Sequence, residues 1–72
     1  MQQTEHIIAR CRRELGLSRP AFGERVGVTG MTVYRWERGE SLPRRKHWQK
    51  LEDETGRPIQ EILAAGKPEG AE

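Results

Sequence analysis

A single cysteine, Cys11, occurs in the 72 residues, so no internal disulfide can staple the chain, a composition that suits a reducing compartment. No apolar run approaches the roughly 18 residues needed to cross a bilayer. The first residues, MQQTEHIIARCRRELG, have neither the apolar core nor the small-residue cleavage site of a secretion signal. Together these absences predict a soluble, cytoplasmic protein. His6, Cys11 and His47 have no metal-ligand spacing, no glycine-rich phosphate loop is present, and no Ser/His/Asp set falls in a plausible order. The expectation is a non-enzyme with no metal, no cofactor and no small-molecule ligand. β-Favouring residues are also scarce: their one cluster, Val26 to Tyr34, is interrupted by Gly27 and Gly30 and has no hairpin partner. The length allows one domain, since a chain of this size buries only about 60% of its unfolded surface.

Charge is abundant. Charged residues make up 33% of the chain, and 13 Lys+Arg against 11 Asp+Glu give a formal net charge of +2. The average conceals a division. Residues 1–50 carry 11 basic and 5 acidic side chains, a net +6, whereas residues 51–72 carry 2 and 6, a net −4. A basic body with an acidic tail points to a polyanionic partner.

Helix signals run the length of the chain. Thr4 can cap a first helix in which Ile8, Cys11 and Leu15 share an apolar face, Arg10 and Arg13 point away, and Gly16 is the stop. Ser18 caps a second, with Pro20 in the first turn, where its missing N–H costs nothing, and Gly27 at the end. Thr29 caps a third, placing Val33 and Trp36 on one side and Met31, Arg35 and Arg38 on the other, before Gly39. After a turn around Ser41 and Pro43, a fourth helix opens at Arg44-Arg45-Lys46 and runs to about Thr55, with Trp48, Leu51 and Thr55 inward. Pro58 starts a fifth, carrying Ile59, Ile62 and Leu63 and ended by Gly66. The prediction is an all-α domain of five helices over residues 1–65, followed by a flexible tail, GKPEGAE, over 66–72.

The stretch from Ser18 to Gly39, SRPAFGERVGVTGMTVYRWERG, has the pattern of a helix-turn-helix at helices 2 and 3. Gly23 lets the two helices approach, Gly27 permits the positive φ between them, and Val33 with Trp36 anchors the second on the core. Gly30, Met31, Thr32 and Arg35 then project outward from the N-terminal half of that helix, with Tyr34 and Arg38 at the flanks. Such a face suits a DNA major groove: Arg35 can offer two donors to guanine O6/N7, and Met31 and the Thr32 methyl suit a thymine methyl. The chain contains no Asn, and its Gln residues lie elsewhere, so the usual bidentate readers of adenine are missing from this helix. Spacing alone also fits a plain helical hairpin with a solvated arginine face.

The sequence resembles the phage repressor and Cro-like, or XRE, family of helix-turn-helix transcriptional regulators. The similarity runs from about Ile8 to Leu63. It is carried by Arg12-Glu14-Leu15-Gly16-Leu17-Ser18, by Val26-Gly27-Val28-Thr29, by Val33, and above all by Arg35-Trp36-Glu37-Arg38-Gly39 with Pro43 behind it. The resemblance implies a five-helix repressor-like fold that binds a double-stranded DNA operator. It places Gly30, Met31, Thr32 and Arg35 at base-facing positions, and Ser18 with Arg19 where the second helix grips a phosphate. Arg44, Arg45 and Lys46 would follow the DNA backbone, extended by Arg38 into one basic ridge. An ion pair between Arg12 and Glu37 would lock helix 1 to the end of helix 3. Because one such domain buries only about 600–1,000 Å² on DNA, a homodimer on DNA is expected, with Ile59 and Leu63 either at its interface or completing the core.

The chain also departs from the family pattern. Gly30 contributes no side-chain contact, and Arg19 replaces a common Gln. Glu52, Thr55 and Arg57 stand where relatives carry apolar residues, and Glu52-Asp53-Glu54 reads as a solvated face. A second class of function fits the charge division equally: an antitoxin-like interaction module whose acidic C-terminal segment binds a partner protein.

Overall fold

Helices in this chain begin where a side chain takes over an orphan backbone N–H. Ser18 accepts from the Ala21 N–H at 3.2 Å, and Thr29 from the Thr32 N–H at 3.2 Å. In the computed structural model, which describes residues 5–65, the elements are α1 (Ile7–Glu14), α2 (Arg19–Val26), α3 (Gly30–Glu37), a 3₁₀ turn at Arg45–His47, α4 (Trp48–Thr55) and α5 (Ile59–Ala65). The described residues contain no strand, and the fold is all-α with five α-helices. Thr4, Gly66 and the tail at 66–72 lie outside the described residues.

Three helix starts differ from expectation. α1 is capped by His6, whose Nδ1 accepts from the Ile8 N–H at 3.0 Å. At α5, the carboxylate of Glu52 accepts from the Ile59 N–H at 2.7 Å. Glu52 is therefore a capping group from α4, not part of a solvated run, and its neighbour Glu54 pairs with Arg25 at 3.2 Å. The fourth helix does not open at Arg44 either: Arg44 is extended, and the chain first makes the 3₁₀ turn. Trp48 Nε1 donates to the Pro43 carbonyl at 3.1 Å, which closes that turn on itself. His47 packs against Trp36, with ring centroids 6.1 Å apart, and its Nδ1 lies 3.2 Å from the Val26 carbonyl. The turn is thus docked on the ends of α2 and α3.

Every α-helix sends at least one side chain into a single core: Ile8, Phe22, Val26, Val33, Trp36, Leu51 and Ile62. Fully burying one such side chain contributes about 1.5–3 kcal/mol. Ile7, Leu17, Val28 and Ile59 pack at the margin, so Ile59 completes the core. Leu15 does not join them and is 45% exposed. It is the C-cap residue of α1, one turn past the buried Cys11, and Leu17 takes the place at the core's edge. Thr55, a polar residue at an inward position, is satisfied locally: its hydroxyl donates to the Leu51 carbonyl at 2.7 Å and accepts from the Arg57 N–H at 3.1 Å.

Candidate nucleic-acid interface

The approach of α2 to α3 is set by backbone. A Cβ at Gly23 would stand 2.5 Å from the Val28 carbonyl oxygen, closer than real side chains come. The Gly23 carbonyl itself accepts from the N–H groups of Gly27 and Val28, at 2.7 and 2.8 Å, and Gly27 turns the chain with φ of 88°. A second close contact joins the helix starts, where a Cβ at Gly30 would lie 3.0–3.1 Å from the Pro20 ring. Gly30 is thus a packing residue, and the Pro20 ring accounts for the missing side chain at this point of α3.

With Val33 and Trp36 buried, α3 turns its other side to solvent. Met31 is 57% exposed, Tyr34 and Arg35 are exposed, and Thr32 is half-buried with its hydroxyl 3.2 Å from that of Thr29. The far end of α3 is anchored by Glu37, whose side chain is only 5% exposed. Arg12 Nε donates to Glu37 Oε2 at 2.7 Å, and Arg12 Nη1 donates to the Leu17 carbonyl at 3.0 Å. Glu37 Oε1 accepts from Arg19 Nε at 2.8 Å. One buried carboxylate therefore holds two guanidiniums from α1 and α2. Among the described residues no buried side-chain nitrogen or oxygen is left without a partner.

Arg19 has more partners than its sequence position suggests. Its guanidinium lies 5.0 Å from the centre of the Tyr34 ring, and that of Arg38 lies 5.6 Å from the same ring. Arg38 also donates to Tyr34 Oη at 3.4 Å and to Glu40 at 2.8 Å. Arg45 stacks over Trp48 at 5.4 Å. The remaining cations converge: Arg35 from α3 and Arg44 and Lys46 from the following segment line a groove of about 350 Å³ with Thr32, Trp36 and His47. None of these three cations has an ion-pair partner among the described residues. Ser18, by contrast, is occupied as the cap of α2. A second, shallower hollow of about 490 Å³ is lined by Arg19, Pro20, Gly30, Met31 and Tyr34. His6 is held below its ordinary pKa of 6.5 by burial, an effect that the nearby Glu37 charge opposes.

Two of the links that sequence reasoning missed join distant segments. Arg19 and Glu37 are 18 residues apart, and His47 and Val26 are 21 apart, so no local spacing reports them. Among the described residues, no helix is long and apolar enough to cross a membrane and no group of three or more residues could hold a metal ion.

Two capped helices locked through Gly23, the second with an exposed cationic face, make this a helix-turn-helix module for DNA. A helix-turn-helix family model matches residues 8–62. The chain belongs to this family, the XRE or Cro-like helix-turn-helix domains of DNA-binding transcriptional regulators. No curated protein and no solved structure gives a significant match.

Proposed function

We propose that the protein is a cytoplasmic repressor that occupies a specific double-stranded DNA operator as a homodimer. The observation that carries this reading is Arg35, exposed on α3 opposite the buried Val33 and Trp36 and sharing a groove with Arg44 and Lys46. With α3 in the major groove, Arg35 takes a guanine edge while Met31, Thr32 and Tyr34 meet neighbouring bases. Gly30 brings its backbone close but adds no side chain. Arg38, Arg44, Arg45 and Lys46, with Ser18 and the outer N–H groups of Arg19, supply phosphate contacts that fix register. The described domain measures 31 × 26 × 21 Å, so two copies fit side by side on half-sites roughly 34 Å apart.

Selection of bound sequences from random duplex DNA tests this. The expected product is a palindrome with two half-sites. Arg35→Ala should then lose about 1–3 kcal/mol of preference for the selected operator while nonspecific binding stays the same. Equal losses on every sequence would remove Arg35 from base reading. If no sequence is enriched, operator binding fails, and a search for a protein bound to the acidic C-terminal segment becomes the next step.

A further inference from the structure

We propose that the hollow between the N-terminal ends of α2 and α3 reads the 5-methyl group of a pyrimidine, thymine or 5-methylcytosine. The inference rests on the operator-binding reading and adds to it a place and a chemistry for one base. The wall of the hollow is mostly apolar: the Pro20 ring, the Met31 side chain, the Tyr34 ring and the backbone of Gly30. Two of its bordering polar atoms already have partners, Arg19 Nε in Glu37 and Tyr34 Oη in Arg38, and the outer N–H groups of Arg19 lie at the rim. A ligand seated here is recognised by shape and apolar contact. Arg19, stacked on Tyr34, gives the rim a positive charge that suits a polyanion.

Position narrows the occupant. Met31 lies one helical turn before Arg35 on the outward side of α3, so when Arg35 reaches a base edge the hollow meets an adjacent step. The apolar group that a base pair presents in the major groove is the pyrimidine C5 methyl. Thr32, the other methyl-bearing side chain on this helix face, is directed elsewhere: it lines the cationic groove, and its hydroxyl lies against Thr29. Gly30 puts no side chain between itself and Pro20, and the volume of about 490 Å³ admits the C5–C6 edge of the ring behind the methyl. Because 5-methylcytosine places its methyl where thymine does, methylation of a cytosine at this position should strengthen binding.

The experiment uses the full chain and the selected operator, with binding followed by fluorescence anisotropy. Each thymine of a half-site is replaced singly by deoxyuridine, which removes only the methyl. One position per half-site should weaken binding about fourfold, the equivalent of one buried methyl at about 0.8 kcal/mol. At that position 5-methylcytosine should bind about fourfold more tightly than cytosine, for the same reason. Met31→Ala, at an exposed site outside the core, should abolish the thymine-to-uracil difference, read as the ratio of the variant's own affinities for the two operators. If no position shows a uracil penalty, or if the penalty survives undiminished in Met31→Ala, methyl reading is overturned and operator binding still stands. If no operator can be selected at all, both readings fall together.

Discussion

Glu37 divides one carboxylate between Arg12 on α1 and Arg19 on α2, and its burial makes the division consequential. Removing a buried partner strands the opposite charge, which costs about 3–5 kcal/mol. Glu37→Ala should therefore destabilise the domain by about that amount in chemical denaturation, whereas Asp53→Ala, an exposed change, should stay within about 0.5 kcal/mol. Equal costs would show that the pair is not structural. The Arg12–Glu37 link was legible in the sequence, because a W-E-x-G run after a G-L-S run carries it by family likeness. The second partner was not. Arg19 reads as a phosphate ligand until α2 and α3 are placed, and only then do Glu37 and the Tyr34 ring fall within its reach. Glu52 shows the same limit: in a run of three acids it reads as solvated, and its role exists only once α5 folds back to present the Ile59 N–H.

At the scale of elements, Ser18, Thr29 and Gly27 announced α2 and α3 because caps and left-handed turns are local chemistry. Gly23 was legible for a similar reason, and its contact is severe enough to predict. Glycine to alanine within a helix normally gains about 1 kcal/mol. Here the added Cβ would meet the Val28 carbonyl, so Gly23→Ala should cost about 1–3 kcal/mol net and lower Tm by roughly 5–20 °C. An unchanged melting curve would mean that the turn has slack. The start of α1 was not legible, since histidine is an uncommon cap. That choice makes the element pH-sensitive. His6 accepts the Ile8 N–H through Nδ1, which protonation removes as an acceptor, and burial already lowers its pKa below the ordinary 6.5. The unfolded chain therefore takes up the proton first as pH falls. The His6 contribution is complete above about pH 6.5 and is lost progressively below it, toward the folded value. His6→Asn keeps a side-chain acceptor without the titration and should flatten this part of a stability–pH profile. A profile identical to the parent's would take His6 out of the account.

For the whole molecule, the net +2 is an average over a cationic side and the acids of α4 and α5, several of which are engaged by Arg25, Arg57 or the Ile59 N–H. If five or six of Arg19, Arg35, Arg38, Arg44, Arg45 and Lys46 neutralise phosphates, log K should fall against log[salt] with a slope of about −5 per domain. Arg44→Ala should weaken binding to every sequence and flatten that slope by about one. An unchanged slope would place Arg44 off the DNA. The tilt of α3 is fixed by main-chain atoms, and Met31 and Arg35 add nothing to the core. With Met31 and Arg35 reading bases as proposed, substitutions at 31 and 35 move the protein to a new target while its pose is inherited unchanged, so descendants of this domain can diverge in what they read without first solving again how to sit.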